Sequence, residues 1–81
     1  MMKKTGLVPV TVRAVLQRIN RKLAPEQEVV RKTRGARAVQ DLGDYYLLDW
    51  NRNIVRDSHI DVERLGRKLE VVADWESVVA E

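Results

Sequence analysis

An acid, a hydroxyl and an imidazole stand in a row at Asp57-Ser58-His59, and His59 is the only histidine in the chain. A nucleophilic relay needs three such groups to converge in space, whereas neighbours on an extended chain point to opposite faces. The triplet lies just before a helix start at Asp61 and reads as a polar strand-to-helix connection, so no catalytic residue is assigned. Asp41, Asp44, Asp49 and Asp57 are the carboxylates a divalent cation would need, but their spacing matches no metal loop. Acids at the flanks of a hairpin ordinarily serve turns and rims. Gly35 and Gly43 precede no helix carrying the lysine and hydroxyl of a phosphate-cradling loop. Cysteine is absent, which removes thiolate nucleophiles, thiolate metal sites and disulfides. The chain is therefore expected to be no enzyme and to carry no metal or cofactor.

Charge carries more information than any motif. Residues 1–40 hold ten Lys/Arg against two acids, and residues 41–81 hold five against ten, so a net charge of +3 conceals a basic half and an acidic half. Arg13, Arg18, Arg21 and Lys22 fall in one helical stretch, and Arg31, Lys32, Arg34 and Arg37 in the strand and loop after it. Half a dozen such cations on one surface would neutralise a phosphate backbone and bind it in a strongly salt-dependent way without reading bases. The expected partner is thus nucleic acid. A solvated helix face and an edge strand blunted by Lys/Arg would give the same pattern, and the two halves can also attract one another within the fold. The rival expectation is a protein-protein inhibitor or adaptor. In it Asp41, Asp44 and Asp49 imitate phosphates towards a nucleic-acid-binding protein, and Trp50 or Trp75 anchors the contact.

These side chains must be positioned by elements that the periodicity outlines. Val12, Val15, Leu16, Ile19 and Leu23 recur on one side of a helix over about residues 11–23, with Thr11 as cap and Pro25 as stop. Its opposite side is cationic. Residues 28–34 read as a strand from their β-branched alternation. Residues 35–43, bounded by glycines, read as a long loop or a single helical turn. Tyr45 to Trp50, then Asn51-Arg52-Asn53 and Ile54-Val55, make a hairpin with Tyr46, Leu48 and Trp50 on one face and Tyr45, Leu47 and Asp49 on the other. Asp61 caps a second amphipathic helix at about 62–71.

Eighty-one residues bound the answer to one small α+β domain, residues 1–81, in the order α-β-β-β-α. A three-stranded antiparallel sheet carries two amphipathic helices on one face, with an N-terminal arm at 1–9 and an apolar C-terminal tail at 73–81. The tail and the uncovered sheet face predict a homodimer or another protein contact. No apolar run approaches the roughly 18 residues of a membrane span and none suits an export signal, which implies a cytoplasmic protein.

The element order resembles that of double-stranded-RNA-binding domains, in which the second helix presents a lysine cluster at its N-terminal end to phosphates. Here that position reads Asp61-Val62-Glu63-Arg64, and two acids at the positive end of the helix dipole repel phosphate, so the family's function is not carried over. INRKLAPE (19–26) and DLGDYYLLDWNRN (41–53) resemble segments of short uncharacterised bacterial proteins, including those of mobile elements. That resemblance implies a bacterial or phage setting and no particular activity.

Overall fold

The computed structural model describes residues 7–80. In chain order they form β1 (Val8–Thr11), α1 (Val12–Leu23), a 3-10 turn (Ala24–Glu26), β2 (Glu28–Lys32), α2 (Ala36–Leu42), β3 (Tyr45–Asp49), β4 (Ile54–Asp57), α3 (Val62–Lys68) and β5 (Glu76–Val79). This is a small α+β fold with three helices, a three-stranded antiparallel sheet and a two-stranded parallel one.

α1 and α3 begin where a capping side chain is available. The Thr11 hydroxyl accepts the Ala14 N–H at 3.1 Å, and an Asp61 carboxylate oxygen accepts the Arg64 N–H at 3.0 Å. α1 buries Val15, Ile19 and Leu23, spaced four apart on one stripe. It ends where Pro25 enters the 3-10 turn, and Gln27 then takes a left-handed φ of 62° to reverse the chain into β2. α3 packs on α1 through Gly66, where an added Cβ would lie 2.8 Å from Val72 Cγ2 and 3.0 Å from Val15 Cγ1. Gly66 is therefore what allows the two helices to approach this closely.

The three-stranded sheet runs β2-β3-β4, with Val30 opposite Leu47 and Arg31 opposite Tyr46. Val30, Tyr45 and Leu47 turn towards α1 and join the core with Val10, Val62 and Val72. The pleat puts Val29, Arg31, Tyr46 and Leu48 on the other face. β2 would be an open edge, but the Asn20 amide of α1 fills the place of a neighbouring strand. Its Oδ1 accepts the Val30 N–H at 2.8 Å and its Nδ2 donates to the Val30 carbonyl at 3.2 Å. A polar helix residue thus blocks one edge of the sheet and fixes α1 against it.

Four expectations are corrected. Residues 36–42 form the seven-residue helix α2, adding an element between the first two strands of the sheet. The arm and the tail are not appendages: β1 pairs in parallel with β5, Val8 opposite Glu76 and Val10 opposite Val78. Parallel pairing across most of the chain length leaves no local sequence signal. The strand expected over 28–34 stops at Lys32, and the helix expected over 62–71 stops at Lys68. The first six residues of the expected arm and the last residue of the tail lie outside the described residues.

Candidate nucleic-acid interface

The eight expected cations do not share one surface. Arg18 is engaged by the fold: its Nη1 donates to both Glu76 carboxylate oxygens, at 2.8 and 3.0 Å, and to the Val71 carbonyl at 3.1 Å. Glu76 also accepts the Ala73 N–H at 2.9 Å, so one carboxylate gathers α1, the segment after α3 and β5. This corrects the expectation that Arg18 is open to solvent anions. The hydrogen bond from Arg18, followed by that from Ala73, holds the Glu76 carboxyl below the usual glutamate range.

A depressed native value means that this contribution is fully present above the ordinary carboxylate range and is lost as pH falls through the lowered value. Arg18→Gln is therefore expected to lower the melting temperature at neutral pH. The gap to the parent protein should close in acid, as thermal unfolding scanned from pH 7 to pH 3 would record. A gap that is independent of pH would contradict the assignment.

Arg13, on the same helix, is itself engaged and is not an open cation. Arg21, Lys22, Arg31, Lys32, Arg34 and Arg37 are exposed, and no ion pair involves them among the described residues. They fall into two groups. Arg21 and Lys22 line a shallow recess with Arg18 and Val71. Arg31, Lys32 and Arg34 line a separate groove of about 530 Å³ with Thr33, Ala38, Leu42 and Tyr46. Arg37 sits on α2, whose Ala38 and Leu42 form one wall of that groove.

The groove is built by backbone constraints. α2 starts after Gly35, at φ 90°, and stops at Gly43, at φ 75°, conformations that suit a residue without Cβ. The Thr33 N–H donates to the Asp44 carbonyl at 2.8 Å, which joins the two flanks of α2 to each other, and the His59 N–H donates to the Leu42 carbonyl at 2.7 Å, which ties the end of α2 to the segment after β4. Thr33 is only 7% exposed, and its hydroxyl has no hydrogen-bond partner. An unsatisfied buried hydroxyl costs about 1–3 kcal/mol, which makes it conspicuous in a residue that lines a cationic groove.

The acids are dispersed. Asp49 is buried, at 7% exposure, where its Oδ1 accepts the Asn51 and Arg52 N–H groups at 3.0 Å each and its Oδ2 lies 3.8 Å from Arg56. It builds the hairpin turn and does not present a phosphate mimic, which corrects its place in the rival expectation. Asp44 lines a different recess with His59, Asp61 and Glu63, and Asp41 is exposed on α2. Trp50 and Trp75 are both exposed. In the triplet, Asp57 Oδ1 accepts the Ser58 N–H at 2.9 Å, and no hydrogen bond joins the three side chains to one another among the described residues. His59 adopts a left-handed φ of 53°. No group of three or more potential metal ligands comes together among the described residues, and none of their helices is long and apolar enough to cross a membrane.

Thr33, Ala38, Leu42 and Tyr46 are the groove residues not singled out from the sequence as site residues. Alternation does put Tyr46 on the face shared with Leu48 and Trp50, but nothing in the local pattern marks Thr33. Comparison of the chain with protein-family models, curated proteins and solved structures finds no match.

Proposed function

We propose that this is a non-enzymatic protein that binds a nucleic-acid backbone through the groove between β2 and α2. The observation that carries the reading is that Arg31, Lys32 and Arg34 line one groove, exposed and in no ion pair among the described residues. Guanidinium forks match the geometry of phosphodiester oxygens, and each phosphate neutralised releases counterions. Arg37 adds to the field beside the groove, while Arg21 and Lys22 attract from a separate recess and contribute mainly to long-range steering. A bacterial or phage cytoplasmic setting accompanies this reading.

The test is Arg31→Glu combined with Arg34→Glu. Neither residue belongs to the core, so the thermal unfolding of the double variant should stay close to that of the parent protein. Its affinity for a mixed oligonucleotide at low salt should fall about a hundredfold or more, whereas Arg21→Glu with Lys22→Glu should cost only a few-fold. Fluorescence anisotropy reads both. Unchanged affinity in the Arg31/Arg34 variant, or no binding by the parent protein at low salt, would refute the reading.

One observation favours a second reading, contact with a protein or a second copy. Leu7, Val8 and Trp75 are 59%, 53% and 66% exposed, and their backbones are brought together where the Val8 N–H donates to the Trp75 carbonyl at 2.8 Å. Exposed apolar side chains grouped in this way are characteristic of interaction surfaces. Sedimentation of the parent protein and of Trp75→Ser separates the cases: self-association abolished by the substitution supports a homodimer, and a concentration-independent monomer removes it.

A further inference from the structure

We infer, resting on the nucleic-acid reading above, that the groove takes a single strand, with an unpaired base stacked on Tyr46 and the adjoining phosphate held over Thr33 by Arg31 and Arg34. Tyr46 lies directly across the β2-β3 pair from Arg31 and lines the same groove. One ring and one guanidinium are thereby neighbours on the uncovered face of the sheet. In a duplex the bases are stacked inside and the phosphates outside, so an aromatic ring in a groove can meet a base face only when the strand is unpaired.

The same face continues the platform. Leu48 follows Tyr46 two places along the central strand, about 6.8 Å away, and Trp50 stands just past the end of that strand, in the hairpin turn. The Trp50 N–H donates to the Gln27 carbonyl at 3.0 Å, which extends the ladder beyond Asp49 and keeps Trp50 in the row. Trp50 is half exposed. A cationic groove that opens onto a row of aromatic and apolar side chains fits a strand whose backbone is tracked by charge and whose bases stack without sequence readout.

The unpartnered Thr33 hydroxyl is a second observation at the groove: its oxygen is closed to solvent in the free protein, so a ligand reaches it only where the side chains over it part. It is a donor in a residue more than nine-tenths buried, it has no partner, and its residue lines the groove between Lys32 and Arg34. A phosphodiester oxygen is the acceptor that the neighbouring cations would bring to it. Replacing Thr33 with valine keeps the shape and deletes the orphan, so it separates a ligand role from a structural one. A structural hydroxyl would be missed by the fold, while a ligand-facing one would be missed only by the complex.

The experiment is fluorescence anisotropy with labelled oligothymidylate and oligouridylate of about 15 nucleotides, within the usual span for such platforms, beside a duplex of the same length. The single strands should bind at least tenfold more tightly than the duplex. Tyr46→Leu should lose about tenfold on the single strands with no loss on the duplex, and Tyr46→Phe should retain the parent affinity. Thr33→Val should weaken single-strand binding several-fold while its melting temperature stays level or rises. Equal affinity for duplex and single strand, or a Tyr46→Leu variant that binds like the parent, would overturn the single-strand inference and leave backbone binding standing. Absence of salt-dependent binding to every probe would instead overturn the reading on which it rests. The thymidylate and uridylate arms distinguish DNA from RNA.

Discussion

Ile19→Ala is expected to remove about 2–5 kcal/mol of folding stability, a large share of what a chain of this size possesses. Ile19 and Val15 are fully buried, and among the described residues the buried apolar core comprises seven, none of them aromatic. A chain of this length has a total stability of about 4–12 kcal/mol. Truncating a fully buried isoleucine to alanine costs about 2–5 kcal/mol, because the lost transfer energy is joined by the cavity left behind. Ile19 is on the stripe of α1, the helix that packs against both α3 and β2, so few neighbours can collapse into the space without breaking another contact. Ile19→Val, which removes a single methylene, should cost only about 0.5–1.5 kcal/mol. Urea unfolding followed by circular dichroism checks both values. A cost below 1 kcal/mol for the alanine variant would mean that α1 is not the centre of the core.

Gly43→Ala should be comparably damaging for a different reason. Gly43 ends α2 with φ 75° and ψ −169°, a region open essentially to glycine alone. An added Cβ would also lie 2.7 Å from His59 Nδ1 and 2.8 Å from the His59 Cα, and backbone cannot swing aside as a flexible side-chain tip can. Strain of about 1–3 kcal/mol and a steric clash therefore act together, and both fall on the joint between α2 and β3. Because that joint sets one wall of the basic groove, the variant should lose affinity for oligonucleotide as well as melting temperature. Gly35→Ala is the useful contrast. Gly35 has a positive φ but open space around it, so only the conformational penalty applies. Equal losses at the two positions would show that contact with His59 adds nothing.

Much of the fold is written in local pattern. α1, α3 and the hairpin are legible because each couples a periodic apolar stripe to a local stop or start: Thr11 and Pro25, Asp61, and the Asn51-Arg52-Asn53 turn. α2 is not. It has no side-chain cap, unlike α3 of the same length, and it is held by Thr33 to Asp44 and His59 to Leu42, bonds between residues distant in sequence. The β1–β5 pairing is equally invisible, because parallel strands from opposite ends of the chain carry no turn between them.

That hidden pairing explains why the basic site was only partly legible. Counting charges puts Arg18 with Arg21 and Lys22, but β5 brings Glu76 onto Arg18 and removes it from the open set. Asp49 misleads in the same way, since an acid after an apolar strand looks exposed until its carboxylate is seen accepting two backbone N–H groups of the turn. Arg31, Lys32 and Arg34 remain because they stand where β2 leaves the sheet, and no acid from the second half of the chain reaches within ion-pair distance of them among the described residues.

The most direct measurement is a titration of the isotope-labelled protein with a short oligonucleotide, followed by backbone amide NMR shifts. Binding through the groove predicts the largest shifts at Thr33, Arg34, Ala38, Leu42 and Tyr46, fading as salt is added. Shifts centred instead on Arg21, Lys22 and Val71 or on Leu7, Val8 and Trp75, or a spectrum that does not change at low salt, would contradict the assignment of the groove as the nucleic-acid interface.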